Sequence, residues 1–336
     1  MLDKCVSRYN EIASFLEVQL RITNVDIENF RGIRSASLSI DAHVTVLIGR
    51  NGVGKTAVLD ATALLLRPFL ALWPPLGANR IHSEADINEA DVRIGSDDAH
   101  LSMDVCFNHA PPTFKNLKSS ILFSEGKGQR NSKNSTYSSI SNYIHNSGFE
   151  PERPLFVHYS QDRGFDSNSR SRDVMDRNDA WYLSLVAKPN AIRDLETWWD
   201  LRDADEARNV RDADPLFRDP QLEAIRAIIK EIDGYTGLTY SSTSRPPGLY
   251  LRKISGGSVH ISRLSSGERS YIILLADLAR RLQLLAPDQK LDQILGIVLI
   301  DEIELNLHPV WQSRIIGTLR RAFSRCQFII TTWSAP

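Results

Sequence analysis

Residues Gly49-Arg50-Asn51-Gly52-Val53-Gly54-Lys55-Thr56 gather three glycines, a lysine and a hydroxyl into one short segment. Glycine accepts left-handed backbone, so such a segment can turn successive N–H groups inward around an anion. The lysine can reach phosphate oxygens and the threonine hydroxyl suits Mg2+. This is the spacing of a P-loop, whose chemistry is the cradling of a nucleotide's phosphate chain. A second candidate is the acidic pair Asp301-Glu302, directly after the apolar run 294–300. There Asp301 can hold Mg2+ through water and Glu302 can polarise an attacking water. A third is Leu264-Ser265-Ser266-Gly267-Glu268-Arg269, small residues ahead of the helical stretch 271–285. A helix N-terminus with a hydroxyl is an anion site, and equally an ordinary N-cap.

These residues need particular elements to position them. The run 43–48 reads as a buried strand feeding the P-loop, and 57–66 reads as the helix that follows it, the strand–loop–helix context the motif requires. The β-branched, almost wholly apolar run 294–300 reads as a fully buried parallel strand, and an α/β sheet places ligands at such carboxyl ends. Residues 154–161 form another apolar strand followed by Gln161. Two readings of Gln161 stand: a sensor of Mg2+ and water, or a polar loop residue.

The three motifs in this order resemble those of ABC-type ATPases of the RecF/SMC/OLD group, whose signature takes the L-S-x-G-E form. The opening segment 20–33, with Asn29-Phe30-Arg31-Gly32 between two strands, is similar to the start of that group. Asp301-Glu302-Ile303-Glu304-Leu305-Asn306-Leu307-His308-Pro309 resembles its D-E-x-E-x-x-L-H-P form. The matches cover residues 20–66 and 260–333. The resemblance implies an α/β fold: an ABC ATPase head, a P-loop NTPase with a mixed sheet, an antiparallel β lobe and an inserted helical lid. It implies ATP and Mg2+ as cofactors. Nucleotide contacts would come from Gly49, Arg50, Asn51, Gly52, Val53, Gly54, Lys55 and Thr56, and from Ser265, Gly267 and Glu268. Thr56, Asp301 and Gln161 would serve the metal, and Glu302, Gln161 and Lys55 the catalysis. It further implies a head-to-tail dimer around two ATP molecules, in which Ser265 and the Gly267 amide meet the γ-phosphate held by the other copy. Asn306, Leu307 and His308 would then lie near the dimer seam.

One departure matters. After the strand 327–332 the group has His-Ser-Pro, whereas this sequence has Trp333-Ser334-Ala335-Pro336. An indole donates one hydrogen bond but cannot become cationic, so slow ATP hydrolysis is expected. The group also continues beyond this point with further strands and helices.

Three parts are expected: an N-terminal ATPase lobe with the P-loop over 1–115, an insertion with a polar loop and helical lid over 116–260, and a lobe with signature and acidic strand over 261–336. Segment 119–147 is rich in Ser, Asn, Gly and Lys and reads as a mobile loop or a partner-binding insertion. Residues 181–233 read as helical, with Leu222, Ile225, Ile228, Ile229 and Ile232 on one core stripe. Between them, 202–219 alternates Arg and Asp, as a solvated helix or loop with internal ion pairs does. It has no heptads, so no long coiled-coil arm is expected. Residues 250–254 and 258–261 form a hairpin across Gly256-Gly257.

The net charge is −1, against a generally basic nucleic-acid coat. Local groups at Arg163, Arg170, Arg172 and Arg177, and at Lys127, Arg130 and Lys133, are read as solvated loops, with a nucleic-acid patch as the alternative. The three cysteines are far apart, without metal spacing, and fit a reducing cytoplasm; Cys106 and Cys326 are expected in the core. No signal peptide or membrane span is expected. The leading reading is an ATPase that restrains a partner effector, a nuclease, similar to the ATPase subunits of antiphage systems of Septu, retron-associated or OLD/Gabija type. A RecF-like DNA repair ATPase is the alternative, and a soluble transporter ATPase subunit a weaker third.

Overall fold

The computed structural model describes residues 20–72, 87–107, 116–124, 153–161, 185, 191–305 and 307–333. It contains two compact units: 1–45 with 50–154, and 46–49 with 155–336. The basic groups at 127–133 and 163–177, and Asn306, lie outside the described residues.

The first unit is an antiparallel sheet with a helix against it. Its strands are β1 (Leu20–Phe30) and β2 (Ile33–Ser39), followed after β3 (Val44–Ile48) by β4 (Asp98–Phe107) and β5 (Asn116–Ser124), in the order β2-β1-β4-β5. Leu20 and Ile22, then Val25 and Ile27, are buried along β1. The change of phase coincides with a register shift against β4 between Ile22 and Asn24, as an extra residue in one strand requires. Helix α1 (Lys55–Leu66) packs on β1, β4 and β5 and is buried on most sides, with Leu59, Ala61 and Leu65 fully enclosed. Ser119 Oγ also donates to Leu65 O at 3.1 Å.

Two expectations are corrected here. Residues 119–124 belong to strand β5 rather than to a loop. Leu117, Ser119 and Ile121 alternate inward, and pairing with β4 satisfies the backbone of this polar stretch. Cys106 is half-buried rather than core, because it alternates with the inward-facing Val105.

The second unit holds a four-stranded sheet in the order β3-β11-β10-β6, formed by β3 (Val44–Ile48), β6 (Leu155–Tyr159), β10 (Gly296–Ile300) and β11 (Cys326–Thr332). β10 runs parallel to both β11 and β6. The two central strands are buried at every residue, as the apolar run 294–300 predicts. Gly296 is required there: a Cβ would sit 2.9 Å from Cys326 Sγ and 3.3 Å from Leu155 O. β3 departs from the expected buried strand. It is an edge strand, partly open along its length, with Ile48 57% exposed.

Around this sheet lie α2 (Ala191–Asp212), α3 (Pro220–Lys230), α4 (Ser266–Leu285) and α5 (Pro309–Ala322), with a small antiparallel sheet of β7 (Tyr235–Ser241), β8 (Gly248–Lys253) and β9 (Ser258–His260). The β8–β9 hairpin is as expected; β7 is an addition. α4 is buried almost all round, its charged Asp277, Arg280 and Arg281 included, because α2, α3 and β6 pack against it. The stripe from Leu222 to Ile232 is buried. The Arg/Asp-rich stretch continues α2 to Asp212, and its ion pairs are only partly internal. Arg208–Asp205 is local, but Arg226 of α3 pairs with Glu206 at 3.1 Å, both largely buried. Among the described residues no helix is long and apolar enough to cross a membrane.

Candidate functional site

In the first unit the P-loop leads directly into α1. Gly52 and Gly54 have φ of +84° and +101°, the left-handed backbone that glycine adopts without strain. Gly54 is the N-cap of α1 and has no side chain to offer, so the helix starts without a side-chain cap, beside an exposed Thr56. A Cβ at Gly54 would lie 3.0 Å from Ile33 Cγ1, so a side chain there would also press on β2. No acid lies in the first turn of α1. Lys55 Nζ folds over the loop and donates to Arg50 O at 3.0 Å. Arg50, Asn51 and Val53 are exposed. A helix N-terminus with no acid in its own first turn and a lysine at its start suits an anion.

The Asn29-Phe30-Arg31-Gly32 turn braces this helix. Arg31 pairs with Asp60 of α1 and, through Nε, with Asp91 at 2.8 Å. Arg31 N also donates to Asp91 O at 2.6 Å. Both Asn29 and Arg31 hold left-handed backbone, which non-glycine residues keep only when surrounding bonds fix it. Burial works against the Arg31 charge, but Asp91 and Asp60 hold its pKa above the ordinary value. Sequence alone marks this arginine only as part of a resemblance; its partners Asp60 and Asp91 carry no pattern that announces them.

In the second unit the carboxyl ends of four strands converge. Gly49, just after β3, donates its N–H to Thr332 O at 3.3 Å. Thr331 Oγ donates to Asp301 Oδ1 at 2.5 Å and accepts from Glu302 N at 2.7 Å. Asp301 N donates to Tyr159 O at 2.8 Å, tying β10 to β6. Gln161, beyond β6, donates from Nε2 to Glu302 Oε2 at 2.9 Å. Gln161 and Glu302, 141 positions apart, are therefore direct partners. Glu302 has φ +45°, a strained value for this residue type, which aims its carboxylate at Gln161. Asp301 is 1% exposed. Thr331 is the residue sequence reasoning misses here, although hydroxyls at the end of an apolar strand are a readable signal.

Farther along, Glu304 Oε1 accepts the Trp333 N–H at 2.6 Å, while the Trp333 side chain is 60% exposed. Leu307 is buried and His308 is the N-cap of α5, accepting from Val310 N at 3.4 Å ahead of Pro309 at the first helical position.

The Leu264–Arg269 turn sits at the start of α4. Ser265 is the N-cap in a capping box: its Oγ accepts from Glu268 N at 3.2 Å, and its own N–H reaches Glu268 Oε2 at 3.0 Å. Ser265 and Ser266 are exposed, whereas Gly267 is buried. Tyr235 Oη donates to Glu268 Oε1 at 3.1 Å. Burial tends to raise the Glu268 pKa, but the Ser265 and Tyr235 bonds, with Lys253 nearby, hold it below the ordinary value. Burial and the Glu268 charge push Tyr235 up to about 12. Sequence leaves anion site and N-cap open for this turn; the cap is present, and the hydroxyl that forms it remains at the surface.

Comparison with known proteins gives a family match over residues 44–335 to the model described as "AAA domain, putative AbiEii toxin, Type IV TA system". Among curated relatives, the Retron Ec83 probable ATPase of Escherichia coli is 26% identical over 94% of this chain. The Retron Vc95 probable ATPase of Vibrio cholerae serotype O1 biovar El Tor is 40% identical over 38% of it. The Septu protein PtuA of Bacillus mycoides (strain KBAB4) is 24% identical over 97% of it. The matches span 69%, 24% and 40% of these relatives' own lengths. Among solved structures, an SMC head bound to the C-terminal winged-helix domain of ScpA aligns with a TM-score of 0.51 at 17% identity, covering 93% of this chain and 89% of that one. The fold is therefore the ABC ATPase head expected from the motifs, mixed α/β with an antiparallel lobe and an inserted helical region.

Proposed function

The chain belongs to the AAA-domain family whose model matches residues 44–335, and we propose that it binds MgATP and hydrolyses it as an ATP-gated switch. The observation that carries this reading is the Gln161–Glu302–Asp301–Thr331 cluster at the strand ends, beside the Gly49 that opens the P-loop. Bound ATP supplies the γ-phosphoryl group and Mg2+ screens its charge. The loop fits such a group: Gly52 and Gly54 leave its backbone open, and Lys55 can exchange the Arg50 carbonyl for phosphate oxygens. Thr56, Asp301 and Gln161 would hold Mg2+. Among the described residues no three acids, histidines or cysteines gather as a metal cage. That suits Mg2+, which takes one or two carboxylates and fills its shell with phosphate and water. Glu302 would accept the proton of the attacking water, with Gln161 fixing the carboxylate.

In this reading residues 1–115 carry the P-loop, 116–260 the lid insertion and 261–336 the signature and acidic strand. Two copies associate head to tail around ATP. Exposed Ser265, with the Gly267 amide and Glu268 holding the turn, completes the site of the other copy. Loss of the γ-phosphate then removes bonds from the interface. The retron and Septu relatives support a place in antiphage defence, with the ATP state restraining a partner effector, a nuclease, in the cytoplasm.

Lys55→Ala and Glu302→Gln test the reading. The first should abolish binding of a fluorescent ATP analogue. The second should retain ATP and shift the protein to dimer or larger in light scattering. A Glu302→Gln protein with wild-type turnover and oligomeric state would exclude Glu302 as the base.

A further inference from the structure

The end of β6 that carries Gln161 is tied to α4 by a side chain as well as to β10 by backbone. Tyr159 Oη donates to Asp277 Oδ2 at 3.0 Å. Asp277 also accepts from Arg281 Nε on the same oxygen at 2.7 Å, and from Arg280 on Oδ1 at 3.2 Å and 2.5 Å. Asp277, Arg280 and Arg281 are all 0% exposed. Burying three charges is costly unless each is paired and hydrogen-bonded, and apolar packing would be the less costly seam between helix and strand. What directional bonds add is a fixed register, since apolar faces can slide and a shared carboxylate cannot. Burial opposes the Asp277 charge, but the two guanidiniums hold it below the ordinary carboxylate value. Burial, and then the Asp277 charge, hold the Tyr159 phenol well above its ordinary value, so it remains a donor. From α2, Asp194 acts on Arg281 and completes the charged surroundings.

Asp277 lies about 18 Å along α4 from Ser265, on one continuous helix. Tyr159 lies just two positions before Gln161, and its carbonyl holds Asp301 N. We propose that Tyr159 is a positioning residue: through Asp277 it fixes the Gln161-bearing end of β6 to α4, so that the Gln161–Glu302 pair and the Ser265 turn keep one relative placement. The proposal rests on the ATPase reading above and adds to it the part that links hydrolysis to the signature helix.

Tyr159→Phe tests it, because it removes one donor while both arginines still satisfy Asp277. The expected result is a fluorescent-ATP affinity within about twofold of wild type and a kcat lowered about tenfold or more, at a temperature well below the melting point of both proteins. In a Gln161→Ala background the same substitution should change kcat by less than about twofold, since the group it positions is gone. An unchanged kcat in Tyr159→Phe, or losses that multiply fully with Gln161→Ala, would overturn the proposal. If the wild type itself binds no ATP, the parent reading fails, which the binding arm alone reveals. Thermal unfolding of each variant separates a lowered melting point, which a purely structural role also gives, from the kcat effect, which it does not.

Discussion

Replacing Gly54 by alanine probes the P-loop turn with a cost that can be worked from its geometry. At φ +101° an L-residue pays about 1–2 kcal/mol for left-handed backbone. The new Cβ would also stand 3.0 Å from Ile33 Cγ1 on β2, and such overpacking adds about 1–3 kcal/mol. The expected total is about 2–5 kcal/mol, read as a fall in the urea midpoint with an unchanged slope. Gly52 is the internal control: its φ is +84° but a Cβ there meets nothing within 4 Å. Gly52→Ala should therefore lose only the backbone part, about 1–2 kcal/mol. In an Ile33→Ala background, Gly54→Ala should fall to that same smaller cost, because the colliding atoms are removed. ATP affinity should fall in Gly54→Ala even where the protein is fully folded, since the displaced turn no longer aims its N–H groups together. Equal losses at Gly52 and Gly54, with no relief from Ile33→Ala, would refute the steric argument.

Three further outcomes are expected. Asp277→Ala leaves Arg280 and Arg281 buried without their shared carboxylate and should cost about 3–5 kcal/mol in urea unfolding. Glu268 has a folded pKa below its ordinary value of 4.5, so its stabilising contribution is present above that pH and lost as pH falls through the folded value. Glu268→Gln should thus be less stable than wild type at pH 7, with the gap in urea midpoint closing as the buffer is taken below pH 4.5. Trp333→His restores a side chain able to carry charge at the strand end, and steady-state phosphate release should rise about tenfold or more if that position faces the γ-phosphate.

The P-loop, the buried strand 296–300 with its acidic pair, and the helix after Ser265 are all legible in sequence because each is a local pattern. An apolar run bounded by acids, or glycines spaced around a lysine, has few other foldings. The ladder β4–β5 is less legible, since the polar residues of 119–124 hide an inward alternation that matters only once β4 lies beside it. The exposure of β3 is a question of sheet order: an apolar strand is buried in the middle of a sheet and open at its edge.

Sequence by itself determined which groups are present: glycines able to take left-handed backbone, a lysine, a hydroxyl and two acids at a strand end. Only tertiary structure decided who meets whom. Gln161 finds Glu302, Thr331 joins Asp301 to the Glu302 amide, and Tyr159 reaches Asp277. These pairs are separated by 29 to 141 positions, so no local spacing encodes them. Parallel strands brought together by long connections place their carboxyl ends side by side, and it is that register, set by packing of the buried strands, that assembles the group.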